Sequence, residues 1–163
     1  MPESWLDMVR PGLLSYGIPP MPDAPDLGLR PCLTVKARLT QIHQVPAGQP
    51  VGYGATWTPG RPATLGIVPL GYADGYPRAL SNRAHALVRG ERVPVRGRVS
   101  MDQFLVELTE TPAAMGDEVV LVGRQGDAEV TLWELADEGD RQRIREHPYG
   151  IQVAVMAGLS CPR

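Results

Sequence analysis

A chain of 163 residues, 43% hydrophobic and 21% charged, fits one globular domain with a respectable core. Its net charge of −2 gives no electrostatic case for nucleic acid or an anionic membrane surface, and no apolar run approaches the roughly 20 residues of a membrane span. With 18 glycines and 17 prolines the sequence predicts many turns and few long helices.

The first residues, MPESWLDMVRPG, have neither the basic start nor the apolar stretch of a signal peptide, which points to a cytoplasmic protein. DMVRPGLLSYG then reads as an apolar strand and a glycine loop without partners nearby, so residues 1–16 look like the tail of something larger. Residues 17–31 hold five prolines and read as a linker running over the surface. In CLTVKARLTQIHQV, Leu33, Val35, Ala37 and Leu39 alternate with polar residues, the pattern of a half-buried strand. PAGQPVG is a turn, and TLGIVPLG (64–71) a short buried strand bounded by glycines. HALVRGERVPVRG (85–97) reads as two strands around an Arg-Gly turn, VSMDQFLVEL (99–108) as a further strand, and GDEVVLVG (116–123) as the next. One helix begins at Thr131, where TLWE supplies a hydroxyl and a carboxylate at capping-box spacing. IQVAVMAG (151–158) is expected to be a last strand. This order of short strands and turns is that of a small β-barrel or sandwich with one short helix.

Candidate chemistry is sparse. Cys32 and Cys161 lie far apart and read as incidental thiols. His43, His85 and His147 are scattered singly, so no metal site is expected. Asp74, before Gly75, reads as a turn former. Of the 16 basic residues only Lys36 is a lysine, and it lies on a strand. VGYGATWTPG (51–60) is the unusual stretch, because Gly52 and Gly54 leave the backbone bare around Tyr53. The glycines suit either a tight turn whose tyrosine covers a sheet edge or a hydroxyl presented to something approaching closely.

Four segments, DMVRPGLLSYG, VGYGATW, PLGYADGYPRAL and GRVSMDQF, are similar in order and spacing to the C-terminal part of bacterial alanine racemase, from about Asp7 to about Arg124. GYADGYPR followed by GRVSMDQ is the specific signature. The resemblance implies a mainly β domain at 31–163, a linker at 17–30, and at 1–16 a remnant of the last strand and cofactor loop of a (β/α)8 barrel. It implies a PLP-dependent isomerase that supplies D-alanine for peptidoglycan, with the cofactor bound covalently by a lysine outside this chain. In such an enzyme two subunits form a head-to-tail homodimer, and the β-domain of one closes the active site of the other.

Residue by residue, Tyr53 matches the family's second base, which takes the Cα proton from L-alanine on the face opposite the lysine. A tyrosine, with an ordinary pKa of about 10, needs cationic or hydrogen-bonding help in that role. Arg78 and Arg98 match arginines at the substrate access, Tyr72 matches a tyrosine lining its inner part, and Met101 a residue whose amide meets the substrate carboxylate. Arg10 matches the arginine at the cofactor's pyridine nitrogen, and Gly12 and Leu13 match donors to its phosphate. Tyr149 matches a further phosphate-binding tyrosine, although HPYGIQVAVMAGLSCPR around it departs from the family's ending. Two functions follow. The chain is the C-terminal portion of an alanine racemase, inactive without the barrel, or a free-standing β-domain acting as an interaction module.

Overall fold

The computed structural model describes residues 7–19 and 24–139. They fall into two units, one ending at Thr34 and one starting at Val35.

In the first unit residues 7–11 form no strand, contrary to the expectation for DMVRPG, and Gly12–Tyr16 is a 3-10 turn. Pro11 explains the change, because its carbonyl accepts the Leu14 N–H at 3.2 Å and so starts a turn instead of a ladder. Cys32 N–H donates to the Tyr16 carbonyl at 3.1 Å, and a Cβ on Gly17 would collide with the Arg30 carbonyl oxygen at 1.8 Å, so the two ends of the proline-rich stretch meet.

The second unit is an antiparallel sheet built from β1 (Val35–Arg38), β2 (Gln41–Val45), β3 (Ala63–Val68), β4 (His85–Val88), β5 (Glu91–Arg96), β6 (Phe104–Glu107), β7 (Glu118–Gln125) and β8 (Ala128–Val130). The strands run in the order β1-β7-β4-β5-β6-β3-β2, with β8 on β7. The two ends of that path are consecutive in sequence, so the sheet curls round and closes. The predicted single strand over 32–45 is therefore two strands. At the corner between them Leu39 N–H bonds Asp117 O on the β7 side, and Thr40 N–H bonds Ile67 O on the β3 side, both at 3.0 Å.

A second corner lies in β5. Its early residues pair with β4, ending at His85↔Pro94, and its last two pair with β6 at Val95↔Val106 and Arg96↔Leu105. Pro94 lacks an N–H and is tolerated where the strand changes partner. The expected Arg-Gly turn is there: Arg89 and Gly90 hold φ of 54° and 81°, the pattern of a two-residue hairpin loop.

Inside, Leu39, Val68, Leu87, Val93, Val95, Phe104, Val106 and Val119–Leu121 form one core. Helix α1 (Leu132–Gly139) adds Leu135 to it and packs on the 3-10 turn Arg78–Leu80. Half of the predicted capping box is made: Glu134 N–H bonds Thr131 Oγ1 at 3.1 Å, while the Glu134 carboxylate accepts from Arg92. The strand expected over 99–108 shortens to β6, because Ser100 N–H and Oγ both bond the Gln103 carbonyl and fold 100–103 into a turn. The strand expected at 151–158 lies outside the described residues. Among the described residues no helix is long and apolar enough to cross a membrane.

Candidate active site

Tyr53 stands at the corner of a four-residue turn. Ala55 N–H bonds the Gly52 carbonyl at 3.2 Å, which makes Tyr53 and Gly54 the central residues. Gly54 holds φ 73°, the positive value such a turn asks of its third residue. A bridge between Val51 and Trp57 closes the base of the loop. The tyrosine is 72% exposed. The loop lies beside Arg98 at ordinary contact range, since a Cβ on Gly54 would stand 3.4 Å from Arg98 Cζ and one on Gly52 3.5 Å from Arg98 N. The glycine pair thus makes a tight turn, although its tyrosine points outward and covers no sheet edge. The turn lifts the ring outward while its backbone lies against Arg98.

Tyr72 is fixed to the Met101 segment by main-chain bonds. Its N–H donates to Ser100 O, and Ala73 N–H to Met101 O, both at 3.0 Å. Gly71 permits this approach, because a Cβ there would lie 2.2 Å from the Met101 carbonyl oxygen. Asp74 caps the same turn, its carboxylate accepting the Gly71 N–H at 3.0 Å, which agrees with its reading as a turn former. Tyr72 and Met101 are 48% and 56% exposed, unusual for such side chains beside a well-packed core. Among the described residues the Met101 N–H has no acceptor.

Behind these loops Tyr76 stacks on Phe104, ring centroids 4.7 Å apart and planes 11° from parallel. Burial, and then the charge of Glu138, push the Tyr76 hydroxyl far above its ordinary pKa. Tyr76 therefore stays protonated and serves packing, which separates it from the two outward tyrosines.

Arg78 and Arg98 are exposed, and among the described residues neither has a carboxylate partner. The loop carrying Tyr53, the segment carrying Tyr72 and Arg78, and the segment carrying Arg98 and Met101 are joined by Ser81, Asn82 and Thr56. Sequence reasoning missed these three. The only signal for Ser81 and Asn82 was their pairing before Arg83, typical of turns, and Thr56 carried none.

The remaining candidates belong to other parts of the sequence. Arg10 is exposed, Gly12 opens the 3-10 turn of the first unit with φ 58°, and Leu13 follows it there. Tyr149 lies outside the described residues. Lys36 Nζ sits 3.1 Å from both oxygens of Glu118, so the single lysine is already engaged on the sheet. Among the described residues no group of three His, Cys, Asp or Glu could hold a metal. Two guanidinium groups, an open amide and two phenols at one end suit a small carboxylate, which guanidinium and amide donors bind well.

The chain matches the family described as "Alanine racemase, C-terminal domain" over residues 32–145. An alanine racemase of Symbiobacterium thermophilum is 48% identical over 141 residues, which is 85% of this chain and 37% of that protein. The solved alanine racemase from D-cycloserine producing Streptomyces lavendulae matches with a TM-score of 0.82 and 40% identity, over 95% of this chain and 40% of its own. The alanine racemase of Bartonella henselae, solved with covalently bound pyridoxal phosphate, matches with a TM-score of 0.76 and 31% identity, over 88% and 38%. The chain spans little more than a third of the length of the curated relatives it matches. On sequence and fold together, it belongs to the alanine racemase C-terminal domain family.

Proposed function

We propose that this chain is the C-terminal part of an alanine racemase, a cytoplasmic enzyme that interconverts L- and D-alanine with pyridoxal phosphate and supplies D-alanine for peptidoglycan. In this reading residues 1–16 complete a cofactor barrel, 17–30 link it, and 31–163 are the β-domain that closes a partner subunit's site in a head-to-tail homodimer. The observation that carries it is the exposed Tyr53, held on a glycine turn whose backbone lies against the Arg98 guanidinium.

The residues fit the cofactor. Arg10 is exposed, and nothing lies within 4 Å of where a Gly12 Cβ would stand, so the loop's backbone is open to an anion. Pyridoxal phosphate, when bound, withdraws electrons from the substrate and acidifies its Cα hydrogen. Arg10 would hold the cofactor's pyridine nitrogen, and a guanidinium, which keeps its own proton, would not protonate it. The amides of Gly12 and Leu13 and the Tyr149 hydroxyl would hold the phosphate. Met101 N–H donates to the alanine carboxylate, Arg78 and Arg98 draw that carboxylate in, and Tyr72 narrows the access. The Tyr53 oxygen then takes the Cα proton from L-alanine or returns one to that face. Two bases are needed because a single one returns the proton to the side it came from. The barrel lysine serves D-alanine.

The test mixes this chain with a barrel fragment of the family and follows solvent-deuterium uptake at Cα of each enantiomer. Neither part alone exchanges alanine, and together they exchange both. Tyr53→Phe in the mixture slows exchange of L-alanine by about 10²- to 10⁴-fold, the range for one general base, and slows D-alanine less. Equal rates for both enantiomers in that variant would remove Tyr53 from the chemistry. Tight association without exchange would assign the domain a docking role instead.

A further inference from the structure

Asn82 touches two of the three segments that carry the proposed site and sits on the third. It follows the 3-10 turn Arg78–Leu80 in a left-handed conformation, φ 59°. Its Oδ1 accepts the N–H of Gly97 at 2.6 Å, and its Nδ2 donates to Thr56 Oγ1 at 3.1 Å. Beside it Ser81 Oγ accepts the Val99 N–H at 3.0 Å and donates to the Arg78 carbonyl at 2.5 Å. Arg98 is thus held by both its chain neighbours, and the Tyr53 loop is held through Thr56.

We propose that Asn82 is a positioning residue that fixes the Tyr53 turn against Arg98, an inference that rests on the catalytic reading of Tyr53. The turn needs such a hold. It is exposed, it contains two glycines with free backbone torsions, and one isolated bridge closes its base. The far side is fixed more firmly, since Gly97 is buried and a Cβ there would stand 3.5 Å from Val51 O. A short acceptor bond to Gly97 sets the height of Arg98, and the donor bond to Thr56 sets the loop relative to it. Asparagine suits the position for three reasons at once. It tolerates the left-handed region, it carries an acceptor, and it carries a donor on the same planar group. Aspartate lacks the donor, and glycine keeps only the backbone.

These differences make the test. Asn82→Gly preserves the backbone and removes both bonds. Asn82→Asp keeps the acceptor for Gly97, and Thr56→Val, at an exposed site, removes the loop's end of the other bond. In this chain, amide exchange at Gly97 and nitrogen-15 order parameters at residues 52–55 are measured for each. The expected result is faster Gly97 exchange only in Asn82→Gly, and lowered order at 52–55 in all three. Thr56→Val added to Asn82→Asp changes nothing further. With the barrel fragment, Asn82→Asp lowers kcat for L-alanine by about 10- to 100-fold, as expected for a misplaced group, and leaves KM within about twofold. Unchanged order at 52–55 in Asn82→Asp and Thr56→Val would overturn the inference. A loosened loop with full kcat would uphold the positioning role and instead refute the catalytic reading of Tyr53.

Discussion

Charges on the barrel wall and charges at its loop end are held differently. On the wall Lys36 pairs with Glu118, Arg89 with Asp117, Arg92 with Glu134, Arg96 with Glu107 and Arg124 with Glu129. Three of those carboxyls are held below their ordinary range: Glu118 by the Lys36 bond, Asp117 by the Ala114 N–H and then Arg89, and Glu134 by Arg92. At the loop end Arg78 and Arg98 have no carboxylate among the described residues, although Asp74 and Asp102 share their segments. Asp74 is engaged with a backbone N–H instead. Cations on the wall are consumed by the fold, whereas Arg78 and Arg98 have no such partner among the described residues. In the proposed function an acid brought from outside is the partner that completes them.

The loop end leans on the wall at their junction. Phe104 is 1% exposed and carries the stacked Tyr76. Phe104→Ala should cost about 3–5 kcal/mol, read from chemical denaturation. A loss below about 1 kcal/mol would mean that the loop end does not lean on the core. A second experiment sets two arginines side by side. Arg96 bonds Glu107 at 2.8 Å and lies over Trp57, 5.4 Å from the ring centroid. Arg96→Ala should lower stability by about 1 kcal/mol. Arg98→Ala should change it by less than about 0.5 kcal/mol, yet weaken carboxylate binding about tenfold in the complemented enzyme. The reverse ranking in stability would erase the distinction between the regions.

The smallest effect is a pH dependence on the wall. Because Arg92 lowers the Glu134 pKa in the fold, their pairing contributes in full above about pH 4.5 and is lost as the pH falls through the lowered value. The pair is partly exposed, so the change should stay under about 1 kcal/mol, and Glu134→Gln should flatten it. An identical acid slope in that variant would show that the bond contributes nothing.

Much of this was legible in the sequence, for local reasons. The Arg89–Gly90 hairpin, the Thr131 cap and the Asp74 turn each depend on residues within a few positions of one another. The split at Leu39–Thr40 was not legible, since alternation from Leu33 to Leu39 continues smoothly and the bend arises from two distant partner strands. β8 is three residues long and exists by pairing with β7, so it leaves no periodicity to detect. At the site, the glycines advertised Tyr53. The role of Arg98 beside it came only from family likeness, because the approach of residues 52–54 to 97–98 is set across more than forty positions. Asn82 signalled only a turn, because its partners Thr56 and Gly97 are distant in sequence.

The closed sheet has a consequence for how the chain comes to be folded. Its β4–β5 hairpin and β2–β3 pairing join neighbours in sequence, but the ring is completed by Val35 meeting Val122. Such distant pairing must wait for the entropy of a long loop to be overcome, which makes closure the slow event. During synthesis the seam cannot form until Glu118–Gln125 has left the ribosome. Until then β1 lacks its partner strand, and the nascent chain carries an unpaired edge that invites pairing with other chains.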